Sequence, residues 1–249
     1  MSVVLQNQHV KELLMGLENN HVFPHKHSYD LYRDWLEAVW AFLNIPAEPE
    51  AYKKTLDRYT REQGEELGRL FSLYAQAAEE LRFQDILGEL FMQLDLKSVR
   101  AGQFFTPWHI AEMMARMQFG PKPFQETVER QGYVSVMDPA VGSGVMLLAF
   151  AKVVHDALGW DGLAKLRLYG TDIDERCILM CRIQLRMNCL DSVGRLAALV
   201  GALRDPTSHN PPPPASSRSS TKPSRTTPVV VSAKPVREKQ ATLVQMELF

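Results

Sequence analysis

Cysteine is scarce in this chain: three residues in 249, all between Cys177 and Cys189. An odd, clustered set cannot form a disulfide framework, so a reducing, cytoplasmic setting is expected. No stretch reaches about 18 uninterrupted apolar residues, which argues against a transmembrane helix. The N-terminal run MSVVLQNQHV has neither the basic start nor the apolar centre of a secretory signal. Strand-like runs are missing before about residue 133, and no internal repeat is visible. A metal-ligand set is missing too. His21, His25 and His27 lie close together, but no cysteine or paired acid cluster joins them, and a polar interhelical loop is the expected reading. Strong net charge is also absent, at −1, while 45% of residues are hydrophobic and 23% charged. Those proportions exclude wholesale disorder, a collagen-like chain and a coiled-coil rod.

Charge and proline are nevertheless unevenly spread. From Arg204 to Phe249 there are seven Lys/Arg against three acids, together with eight of the chain's 15 prolines. Prolines at that density remove amide donors and fix φ, so neither a helix nor a central strand is expected to run through. With its serines, residues 204–249 read as a disordered, basic, partly polyproline-like tail. Such a tail could add salt-sensitive affinity for nucleic acid, or serve only solubility.

The first hundred residues read as a helical domain, 1–100. Leu31, Trp35, Val39 and Phe42 recur at helical spacing, and Tyr32, Leu36, Trp40 and Leu43 widen the stripe. A second periodic stretch runs from Tyr52 to Leu81 and a third from Phe83 to Leu94. After Tyr133 the texture changes. Val134–Met137 is a short β-branched run ended by Asp138, followed by the loop Pro139-Ala-Val-Gly-Ser-Gly144 and an apolar helix from Val145. Leu166 to Gly170 is a second strand, stopped at Thr171-Asp-Ile-Asp174, with Asp174 the cap of a further helix that reaches about Cys189. Strand, glycine loop, helix, strand, acid, helix is the start of an α/β fold with a parallel doubly wound sheet. Cys177 and Cys181 share one face of that last helix, as core residues do.

The two loops carry the chemistry. Gly142 and Gly144 permit positive φ and let a ligand approach the backbone, and the following helix offers free N–H groups. The spacing is not that of a pyrophosphate fingerprint, and no Lys follows, so a P-loop is not matched. Asp138 at the first strand end suits a ligand with an amino group. Asp172 at the second strand end can take ribose hydroxyls, and Ile173 offers an apolar face to an adenine ring. A plain structural turn and a helix-capping acid are the alternatives.

Three ordered segments, Gly102-Gln-Phe-Phe-Thr-Pro107, Asp138-Pro-Ala-Val-Gly-Ser-Gly144 and Gly170-Thr-Asp-Ile-Asp174, resemble those of N6-adenine DNA methyltransferases. The likeness is greatest to the modification subunit of type I restriction systems, and Phe83–Phe91 resembles the helix that leads into the Phe-Thr-Pro segment there. The resemblance covers roughly residues 83–203. It implies a helical N-terminal domain followed by a Rossmann-like, S-adenosylmethionine-binding methyltransferase domain over 101–203, apparently truncated. It also implies roles. Phe105, Thr106 and Pro107 would hold the methionine end of S-adenosyl-L-methionine. Asp138, Ala140, Gly142, Ser143 and Gly144 would contact its amino-acid part, Asp172 its ribose and Ile173 its adenine. DNA is the implied substrate, with a specificity or complementing subunit as partner.

The catalytic segment of that family is Asn-Pro-Pro followed by Tyr or Phe. Here Asn210, Pro211 and Pro212 match it, but Pro213 stands where the aromatic ring should stack on a flipped base, and no apolar strand precedes them. Strands four to seven of the sheet have no visible sequence, which leaves an edge for a partner or the helical domain to cover. Active enzyme and inactive cofactor- or partner-binding protein are both compatible with this pattern. At the C-terminus, Gln245-Met-Glu-Leu-Phe249 resembles the short segment by which bacterial proteins dock on the β sliding clamp. Gln245 would supply hydrogen bonds, Leu248 and Phe249 apolar anchors, and Met246 stands in place of the usual Leu.

Overall fold

The computed structural model describes residues 2–95, 105–190 and 244–247. Six helices come first: α1 (Val3–Gln6), α2 (Gln8–Glu18), α3 (Ser28–Leu43), α4 (Pro49–Leu56), α5 (Arg61–Glu80) and α6 (Ile86–Asp95). The periodic stretch from Tyr52 to Leu81 is two helices rather than one. Thr60 caps the second, accepting from Gln63 N at 3.2 Å while its own N–H donates to the Gln63 side chain. That reciprocal box satisfies two end donors and fixes where α5 begins. Trp35, Leu36, Leu70, Leu87 and Leu90 are fully buried where α3, α5 and α6 meet.

Two further helices, α7 (Trp108–Gln118) and α8 (Pro121–Gln131), lead into β1 (Val134–Asp138), α9 (Val145–Leu163), β2 (Leu166–Asp172) and α10 (Glu175–Met187). The strands β1 and β2 are parallel, with Val134 opposite Leu166 and Asp138 opposite Gly170. The first part of the long helix between them is buried nearly all round: Ala149 and Val153 pack with Ala111 and Ala115 of α7, while Leu147 and Leu148 join Leu168 and Ile178. That explains why its sequence is apolar without a polar stripe. Asp174 caps α10 as its position suggests, accepting from Arg176 N at 2.9 Å.

The helix α10 belongs to two cores. Ile178, Cys181 and Leu185 pack under the sheet, whereas Cys177, Met180 and Ile183 pack among the N-terminal helices. The same helix therefore ties the N-terminal helical core to the α/β part. Both buried cysteines have their thiols pushed up by desolvation, so they are inert core residues.

The parallel pair is the start of the expected sheet, and the described sheet goes no further than that pair and a third strand, β3 (Val244–Glu247), antiparallel on β2. Within the stretch 204–249, read as a disordered tail, residues 244–247 lie along the β2 edge, with Asp172 opposite Val244 and Tyr169 opposite Glu247. The β1 edge, where strands four onward of a doubly wound sheet would add, has no further strand among the described residues. A bare strand edge presents a row of unpaired N–H and C=O groups, and any extended segment within reach can satisfy them. Residues 96–104, 191–243, 248 and 249 lie outside the described residues, and with them Gly102, Asn210, Pro211, Pro212, Leu248 and Phe249. Among the described residues no helix is long and apolar enough to cross a membrane, and no group of three metal-ligating side chains occurs.

Candidate cofactor site

The loop between β1 and α9 is locked to the end of β2 by three hydrogen bonds, and a fourth holds the Asp172 carboxylate from its own side. Val141 N donates to Thr171 O at 2.9 Å, and Thr171 Oγ1 donates to Pro139 O at 3.0 Å. Gly142 N donates to Asp172 Oδ2 at 2.8 Å, and Asp174 N donates to the other carboxylate oxygen of Asp172 at 2.9 Å. Asp138 folds back to accept from Ala140 N at 3.0 Å. Asp138 and Asp172 are thus brought to one side of the loop, each with lone pairs to spare. Burial raises the Asp138 carboxyl above the usual range, and the nearby Asp172 charge adds to that, against the Ala140 hydrogen bond. Ile173 beside them is 73% exposed, an apolar surface open to a flat ring.

The glycines are there for two different reasons. Gly142 has φ of +53°, and a Cβ on it would lie 3.1 Å from the Phe105 ring. Gly144, at φ +97°, ends the loop as the N-cap of α9, and a Cβ there would meet Cys181 Sγ at 2.8 Å. The first lets the Phe105 ring pack against the loop and the second lets α9 and α10 close together. Phe105 ties the loop to the N-terminal helices, its ring 5.3 Å from that of Phe91. A cavity of about 210 Å³ opens there, bordered by Phe105, Thr106, Pro107 and Trp108 on one side and by Asp85 and Glu89 on the other.

Ser143 does not point into the loop's concave face. It is fully buried, and its Oγ donates to Asp85 Oδ2 at 2.7 Å. Asp85 also accepts from Gln184 Nε2 at 2.8 Å and, as the cap of α6, from Gly88 N at 3.0 Å. Gln184 in turn donates to Ser143 O at 2.8 Å and accepts from Leu87 N at 3.0 Å. Gly88 belongs to this knot, since a Cβ on it would lie 2.3 Å from Asp85 Oδ2 and 2.5 Å from Ser143 Oγ. Phe83, held at φ of +65°, donates its N–H to Asn188 Oδ1 at 2.6 Å just before α6. Asp85, Gly88, Gln184 and Asn188 escape a reading of the sequence because two sit within helices and two look like ordinary helix-end residues. The only trace is an Asp-x-x-Gly at a helix start.

These residues fit the group that the segments suggest. The loop has no phosphate-cradling arrangement, two acids flank it, and an apolar shelf lies beside the second acid. Residues 83–213 match the family model described as N-6 DNA Methylase, and the chain belongs to that family. A methylase subunit of the type I restriction enzyme MpnII from Mycoplasma pneumoniae (strain ATCC 29342 / M129 / Subtype 1) is 34% identical over 90 residues, which are 36% of this chain. The chain spans only 14% of the length of that relative. No solved structure is a significant match to the chain.

Proposed function

We propose that this chain binds S-adenosyl-L-methionine in an α/β domain of Rossmann-like type and takes part in N6-adenine methylation of DNA, as a type I modification subunit does. The observation that carries the reading is the convergence of Phe105, Gly142, Asp138 and Asp172 around one loop. When bound, the cofactor supplies an activated methyl group on a sulfonium. Asp172 would take the ribose hydroxyls with the acceptor capacity left by its two backbone contacts. Asp138 would take the α-ammonium, Ile173 would offer an apolar surface to the adenine, and Phe105, Thr106 and Pro107 would hold the methionine end. DNA is the substrate, and a specificity or complementing subunit is the partner.

Within this reading Asn210, Pro211 and Pro212 supply the acceptors for the target amino group. Pro213 favours a second reading, in which the chain holds cofactor but lacks chemistry alone, because a pyrrolidine ring cannot stack on a flipped base as an aromatic does. A transfer assay with labelled S-adenosylmethionine and DNA, with and without candidate partner subunits, separates the two. Transfer in either condition that is lost in Asn210→Ala supports the enzyme; none in both removes it.

Cofactor binding is tested first. Asp172→Ala should weaken it by roughly 1–3 kcal/mol through loss of a charge-assisted contact. Gly142→Val should abolish it, since valine is strained at φ +53° and drives into Phe105. Calorimetry with no S-adenosylmethionine binding to the intact chain, or unchanged affinity in both variants, would overturn the proposed site. The terminal segment Gln245–Phe249 is proposed to dock on the β sliding clamp, holding the protein near newly made DNA.

A further inference from the structure

Asp85 is 4% exposed, and three neutral groups donate to its carboxylate: Ser143 Oγ, Gln184 Nε2 and Gly88 N. The start of α6 adds a favourable dipole. Yet among the described residues no Lys, Arg or His forms an ion pair with it. A buried charge is ordinarily balanced by one of opposite sign, because neutral donors offset only part of the lost hydration. The carboxylate borders the 210 Å³ cavity, and so does Glu89, one turn further along α6. Glu89 is half-buried and has the Ser2 hydroxyl as its hydrogen-bond donor. The opposite wall is Phe105, Thr106 and Pro107. Among the described residues the cavity therefore joins two carboxylates and a largely apolar wall, with no Lys, Arg or His lining it; the N-terminal ammonium acts on Glu89 from outside that lining.

Resting on the proposed cofactor, we infer that Asp85, seconded by Glu89, is the counter-charge that makes this site prefer the sulfonium form of the cofactor over the neutral thioether left after methyl transfer. Asp85 reaches the loop only through Ser143, so it positions Ser143 and sets the potential in the cavity at the same time. The sulfonium and the thioether differ by one positive charge and one methyl group. A carboxylate that borders the cavity would tell them apart by the charge.

The local bonding permits a clean test. In Asp85→Asn the amide oxygen can occupy the Oδ1 position, keeping the Gly88 and Gln184 bonds. The amide NH2 then faces Ser143 Oγ, which accepts instead of donating. The network survives and the charge does not. Glu89→Gln similarly keeps an acceptor for Ser2. Calorimetry on the full chain with S-adenosylmethionine and separately with S-adenosylhomocysteine reads the outcome, alongside thermal melting to show that each variant is folded. Asp85→Asn should lose about tenfold in affinity for S-adenosylmethionine and at most about threefold for S-adenosylhomocysteine. Glu89→Gln should shift the ratio in the same direction by less, and it decides the matter if Asp85→Asn does not fold. A merely structural role would weaken both ligands equally. Equal losses, or a ratio that neither variant moves, would mean that the charge is balanced within the chain and would overturn the inference alone. Binding of neither ligand by the wild-type chain would overturn the proposed cofactor and this inference with it.

Discussion

Two carboxylates of the site region share one peculiarity at the level of single residues. Burial is the leading cause that raises both Asp85 and Asp138, and hydrogen bonds to the ionised form only partly oppose it. The sign for stability follows. A carboxyl whose folded pKa lies above its unfolded value binds its proton more tightly in the folded state. Its ionisation therefore costs stability at neutral pH, and the cost disappears as pH falls through the folded value towards the unfolded one near 4. Asp85→Asn removes this cost while keeping the bonds. The variant should melt higher than wild type at pH 7, by about 2–4 °C for each kcal/mol recovered. The difference should shrink as the pH is lowered towards 4. Melting curves across that range check it; a variant that melts lower at pH 7, by a margin constant with pH, would show that folding does not raise the Asp85 carboxyl. A site residue whose neutralisation stabilises the protein is the usual mark of a group kept for function.

Helix packing sets the next scale. The joint between α6 and α10 is polar inside an apolar shell. Gln184 alone links Leu87 N, Asp85 and Ser143 O, and Asn188 holds Phe83 in a backbone region that non-glycine residues avoid. Gln184→Leu is close in volume, but it leaves a buried N–H and strips one donor from a buried carboxylate. It should cost about 3 kcal/mol, far more than an apolar swap of similar size. Denaturant unfolding of this variant against Ile183→Val, an apolar trim on the same helix, measures the difference; equal costs would show that the polar joint adds nothing. The same joint explains why α10 serves two cores. One helix carries Cys177, Met180 and Ile183 into the N-terminal bundle and Ile178, Cys181 and Leu185 under the sheet.

At the scale of the whole molecule the C-terminal segment has two claims on it. Residues 244–247 lie along β2, ending opposite Asp172 and Tyr169. Clamp docking by the proposed segment Gln245–Phe249 would need the same backbone, so the two states exclude each other. A lone pentapeptide has little area to bury and must be ordered, so docking should be weak, around micromolar. Deleting Leu248 and Phe249 should remove clamp retention and leave cofactor affinity intact. A pull-down in which truncated and full chains retain the clamp equally would show that the terminal resemblance is a coincidence.

Local pattern determined much of this protein by itself. The β-branched run, the acid, the glycine loop and the apolar helix from Val145 were readable because each obeys a rule of period or backbone freedom acting within a few residues. So were the parallel pair, the cap at Asp174 and the segments that mark the family. Other features depend on residues far apart in the chain. Asp85 meets Ser143 and Gln184 across 58 and 99 positions, and nothing in a helix-capping Asp announces a shared hydroxyl or an amide. Gly88 looks like a weak helix residue until its missing Cβ is seen to make room for that carboxylate. Composition marks the tail as proline-rich, but an unpaired strand edge accepts backbone of almost any sequence. Only the tertiary structure could show that residues 244–247 lie there.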